Sequence, residues 1–166
     1  VQRHAAVLAI AASLFCATGF AAPPVGIPGS PAIPRILAAA ETLFQSMKER
    51  RYTETWAVLT RKSRETIVSE TDDAIRRAGS PPVPKERIRD DFAAGGPLCR
   101  QYWEGFLRRF DPDDALEKSR WEMGGVEQNR AEVLITHIGA DRPAVLQMFQ
   151  EEGGWKVGLV ETFWEH

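Results

Sequence analysis

From Ile36 onward the apolar positions recur at steps of three and four: Ile36, Leu37, Ala40, Leu43, Phe44 and Met47. That rhythm predicts an amphipathic helix with a single buried stripe. Pro34 suits its first turn, where no intrahelical N–H is needed. A second, short helix is expected with Thr53 as its N-cap and Trp56 and Leu59 turned inward. The stretch from Lys62 to Val68 follows no single period. Beyond it, Thr71 would cap a helix from Asp72 to Ala78, stopped by Gly79 and the Ser80-Pro81-Pro82 breaker. Lys85 to Ala94 predicts a further helix ending at Gly95-Gly96. The clearest helix runs from about Leu98 to Phe110, where Cys99, Tyr102, Trp103, Phe106, Leu107 and Phe110 form a broad stripe. Arg100, Gln101, Glu104 and Arg108 fall largely opposite.

After Asp111 the period changes to two. Ser119–Val126, Arg130–Ile138, Pro143–Gln150 and Trp155–Trp164 read as strands, separated by Gln128-Asn129, Gly139 to Arg142 and Glu152 to Gly154. Connections this short allow hairpins but not parallel crossovers. Alternation places Trp121 and Met123, then Ala131, Val133 and Ile135, then Leu146 and Met148, then Trp155, Val157 and Leu159 on inward faces. Helices followed by an antiparallel sheet of four or more strands predict an α+β domain with the helices on one sheet face.

The N-terminus carries a different signal. Arg3 and His4 precede an apolar run from Ala5 to Phe20, and Gly19-Phe20-Ala21 offers small residues at a cleavage site. This is the pattern of a secretory signal peptide over residues 1–21, cut after Ala21. The run is shorter than the roughly 20 residues that span a bilayer, so the membrane is met only through this leader. Cys16 would suggest a lipid anchor, but bulky Phe15 stands where that signal wants a small residue. Residues 22–33, rich in proline and glycine, read as an extended tether, and residues 34–166 as one domain. Export to the periplasm or the medium is the expectation. Cys99 is then the one cysteine left, so packing rather than a disulfide must hold the domain. The chain's formal charge is −2, and its arginine pairs lie beside acids or on helix surfaces. Without a basic stripe, nucleic-acid binding is not expected.

The run from Leu43 to Tyr52, continuing through Trp56, Leu59, Ser63 and Ile67, resembles the helical opening of nuclear transport factor 2-like domains. Gly154-Trp155-Lys156-Val157 is similar to their closing strands. The resemblance implies a cone-like fold in which helices cover a curved antiparallel sheet, and it carries Tyr52, Trp56 and Trp155 over as structural residues. The family includes isomerases, cyclases and dehydratases, and also exported accessory domains. Its enzymes place an Asp or His base inside the cone. No Asp occurs in the four predicted strands, and the charged, proline-bearing stretch from Arg61 to Gly96 departs from the compact enzymes.

Among chemistry-bearing residues, His137 and Glu161 are the catalytic candidates, because alternation puts both on inward sheet faces where an imidazole and a carboxylate could act as base and acid. A lone His in the body of the domain supplies too few ligands for zinc, and no cofactor is implied. Asp111-Pro112-Asp113-Asp114 begins like a calcium loop, but Leu116 stands where that loop needs glycine; a helix N-cap fits better. Tyr102, Trp103, Phe106, Trp121, Met123, Ile135, Met148 and Trp155 would line an apolar pocket between helix and sheet. The leading expectation is therefore an exported small-molecule-binding or accessory domain without catalytic activity, whose partner is an apolar small molecule or an envelope protein. The alternatives are an isomerase, dehydratase or cyclase using His137 or Glu161, and a protein-interaction module using the sheet face.

Overall fold

The computed structural model describes residues 30–163. The signal peptide, all of the tether but its last residues, and Trp164 to His166 lie outside the described residues.

The first helix, α1 (Ala32–Lys48), buries Ile36, Ala40, Leu43, Phe44 and Met47, the stripe expected from the sequence. Its end turns sharply: Arg50 adopts a left-handed φ of 57°, and Arg51 N–H returns to the Ser46 carbonyl at 2.8 Å. Helix α2 (Tyr52–Val58) starts one residue after this turn, so Arg51 rather than Thr53 is its N-cap. The next helix corrects a second boundary. The ambiguous stretch and the helix expected after Thr71 are one element, α3 (Arg61–Arg77). Thr60 caps it by accepting the Ser63 N–H at 3.1 Å, while Thr71 sits inside and donates its hydroxyl to the Ile67 carbonyl at 2.8 Å. A Thr that back-bonds to the preceding turn needs no role as a cap.

Helix α4 (Lys85–Ala94) ends at Gly95, whose φ of 66° is the left-handed conformation glycine adopts without steric cost. Helix α5 (Pro97–Leu107) follows at once, and Asp91 satisfies its first turn by accepting Cys99 N–H at 2.8 Å. Helix α6 (Pro112–Leu116) is capped by Asp111, as the acidic run implied.

The sheet contains β1 (Ser119–Val126), β2 (Arg130–His137), β3 (Ala144–Glu151) and β4 (Gly154–Gly158), antiparallel throughout and in sequential order. It is an open sheet covered by helices on one side, an α+β fold compatible with a cone. Ala131, Val133, Ile135, Leu146, Met148 and Val157 are buried beneath the helices. The last strand is shorter than expected: after Gly158 the chain enters a five-residue helix, α7 (Leu159–Phe163). The two sheet edges differ. Beyond β4, Leu59 makes a parallel bridge to Val157 and Thr60 N–H bonds the Val157 carbonyl at 3.0 Å. No described strand lies beyond β1.

Candidate functional site

A hollow of about 1000 Å³ lies over the outer face of β2 and β3, walled by α7 and by Lys62 of α3. It exists because β4 stops early. Gly158 pairs with Gln147 of β3, and beyond that pair β3 has no described strand on its β4 side. Gly158 is required there because a Cβ would stand 2.6 Å from the Phe149 ring. The chain then folds back as α7. Thr162 completes the interrupted ladder, accepting Gln147 N–H at 2.9 Å and donating to the Gly158 carbonyl at 2.6 Å.

Glu161 fixes the other side of α7. Its carboxylate accepts the Thr60 hydroxyl at 2.8 Å and the Ser63 hydroxyl at 2.7 Å, and Ser63 Oγ in turn accepts Val160 N–H at 3.1 Å. The capping residues of α3 thus also grip α7. A carboxylate beside a helix N-terminus has favourable electrostatics in addition to these bonds.

The hollow's floor comes from outer-face positions of β2 and β3. Arg130 pairs with Phe149 across the strands, and its guanidinium stands over that ring at 5.5 Å. Glu132 pairs with Gln147, whose amide donates to it at 3.4 Å. Val145 and Phe163 are exposed apolar residues on the walls. Glu151 is tied by Arg61 N–H at 2.8 Å. Arg130 makes no ion pair among the described residues. Charges of both signs therefore flank an aromatic surface. Among the described residues no cluster of His, Cys, Asp or Glu could hold a metal ion, and no helix is long and apolar enough to cross a membrane.

The residues expected to line a helix-side pocket belong to the core or pack against it. Trp103, Ile135 and Met148 are buried, and Tyr102, Phe106, Trp121, Met123 and Trp155 pack against the same core. Tyr102 and Trp103 meet edge to face at 5.2 Å, and Trp103 and Phe106 at 5.7 Å. Trp121 donates its indole N–H to the Ala115 carbonyl at 2.7 Å. Burial pushes the Tyr102 phenol well above its usual range, and Glu70, to which it donates at 3.3 Å, adds to the shift. None of these eight residues lines the hollow.

The catalytic candidates are not brought together either. His137 ends β2 with an exposed side chain, its Nε2 3.9 Å from Asp114 of α6. Glu161 lies on α7 and not on an inward strand face, because Gly158 ends the strand before it. Arg130, Glu132, Val145, Gln147 and Phe149 were not singled out from the sequence. Their signal was a phase: Leu134, Val145 and Phe149 are apolar residues on the alternation set assigned to solvent. Comparison with protein-family models, curated proteins and solved structures finds no match to this chain.

Proposed function

We propose that this chain is a non-catalytic accessory domain that holds an extended segment of a partner protein in the groove between α7 and the outer face of β2 and β3. The observation that carries the reading is the groove itself, with Phe149 and Val145 as apolar footing between the side chains of Arg130, Glu132 and Glu151. Enclosed small-molecule pockets are mostly apolar. This surface is open and alternates charge with apolar contact, which suits a peptide whose side chains alternate likewise. Arg130 and Glu132, two residues apart on one strand face, stand roughly 7 Å from each other by strand geometry, the spacing of alternate side chains on an extended ligand. Non-catalytic action is supported by the engagement of Glu161 with two hydroxyls and by the position of His137 at the far end of β2. The resemblance of the run from Leu43 to Tyr52 and of Gly154 to Val157 supports a nuclear transport factor 2-like domain, and the leader pattern supports work outside the cytoplasm. Intact-mass analysis of secreted protein should show loss of residues 1–21; recovery with Val1 attached would remove the cleavage reading, and retention of the whole protein in the cytoplasm would remove the export reading.

A random displayed-peptide selection tests the groove directly. A selected peptide, resynthesised, should bind the wild-type chain and bind Phe149→Ala and Arg130→Ala roughly tenfold more weakly, consistent with losing one anchor contact. Failure to enrich any sequence, or affinity indifferent to both substitutions, would remove the proposal.

A further inference from the structure

No described strand pairs with the outer edge of β1, and that edge has a defined hydrogen-bonding phase. Ile138 N–H bonds the Lys118 carbonyl at 2.7 Å, and the β1–β2 register runs from Ser119 opposite His137 to Met123 opposite Val133. In an antiparallel pair, bonded and non-bonded positions alternate. Arg120 and Glu122 therefore turn their backbone groups toward β2, while Ser119, Trp121 and Met123 turn theirs away from the sheet. No proline interrupts this edge, and the strand stays regular until the bulge between Met123 and Val126. An unprotected row of backbone donors and acceptors is a template for another strand.

The side chains specify which strand. Arg120 and Glu122 lie on the outer face, largely exposed and 3.2 Å apart in an ion pair. We propose that β1 pairs antiparallel with β1 of a second copy of this chain, about a two-fold axis at Trp121. In that register Trp121 faces its own counterpart as a bonded pair, and Ser119 faces the partner's Met123. Arg120 then lies directly opposite the partner's Glu122, and Glu122 opposite the partner's Arg120. Both are non-bonded positions, where side chains approach closest. Shifting the axis by one residue sets Arg120 or Glu122 against itself, so charge selects the Trp121 register. The half-buried Trp121 and Met123 gain cover on the inner side of the same edge. The result is a continuous sheet of two copies with the groove of each left open, since the groove lies over β2 and β3.

Sedimentation velocity on the full chain over a concentration series tests this. The wild type should dimerise reversibly. Arg120→Glu and Glu122→Arg should each weaken dimerisation roughly tenfold, because each replaces two cross-strand attractions by two repulsions. The double variant Arg120→Glu/Glu122→Arg restores opposite charges and should recover the wild-type affinity to within a few-fold, with circular dichroism unchanged throughout. A wild type that stays monomeric at hundreds of micromolar, single reversals without effect, or a double variant as weak as the singles would overturn the proposal.

Discussion

Cys99 is completely buried against the aromatic packing of α5, with Asp91 beside it. Loss of solvation, reinforced by the Asp91 charge, pushes its thiol up to about 11. A thiolate is therefore more costly in the folded chain than in the unfolded one. Below pH 9 both states hold the proton. Between about pH 9 and 11 only the folded state retains it, and stability falls as pH rises; above that window the difference has been lost. Unfolding free energies from urea titration of wild type and Cys99→Ala should be offset by a constant cavity cost up to pH 9 and then converge by on the order of 2 kcal/mol by pH 11. A constant offset across the window would refute the assignment. Glu161 makes a second prediction at this scale. Glu161→Gln exchanges one carboxylate oxygen for a donor facing a hydroxyl that already donates, and should cost about 1–2 kcal/mol in chemical denaturation. Retained stability would show that the Thr60 and Ser63 bonds contribute little.

At the scale of elements, α7 depends on a missing side chain. Gly158→Ala would drive a methyl group into the Phe149 ring and against Glu161 Cβ, which lies 3.1 Å from the position it would take. The strand–helix junction should then loosen, at about 1–3 kcal/mol for the overpacking. Faster hydrogen exchange at Gln147, whose N–H is held by Thr162, would report it locally; unchanged protection there would show that the ring yields without cost. The same junction marks the limit of what could be read in advance. Trp155, Val157 and Leu159 alternate as a strand does, and periodicity cannot register that Phe149 crosses over Gly158. Conversely, β1 was legible to its ends and α4 to its glycine stop, because turn residues bound them in the sequence itself. Helix α3 was read as fragments for the opposite reason: its buried stripe is narrow, and Ser63, Thr71 and Asp72 are polar members of it. The groove was illegible because it is a cross-strand object. Arg130 and Phe149 are neighbours only through the β2–β3 register.

Across the whole molecule, eight aromatic residues form one connected packing line. Trp56, Phe92, Tyr102, Trp103, Phe106, Phe110, Phe44 and Trp121 touch in succession, with ring centroids 4.9–5.9 Å apart. That line joins α2, α4 and α5 to α1 and the rim of β1. The unequal sheet edges carry a consequence for assembly. Leu59 and Thr60 meet β4 at Val157, so among the described residues the proposed pairing uses one margin of each copy, at β1. An isologous contact uses that margin on both molecules at once and so closes on itself. Association by this route is finite: mass should plateau at two chains however far concentration is raised, without the propagating fibres that a molecule sticky on both margins could form.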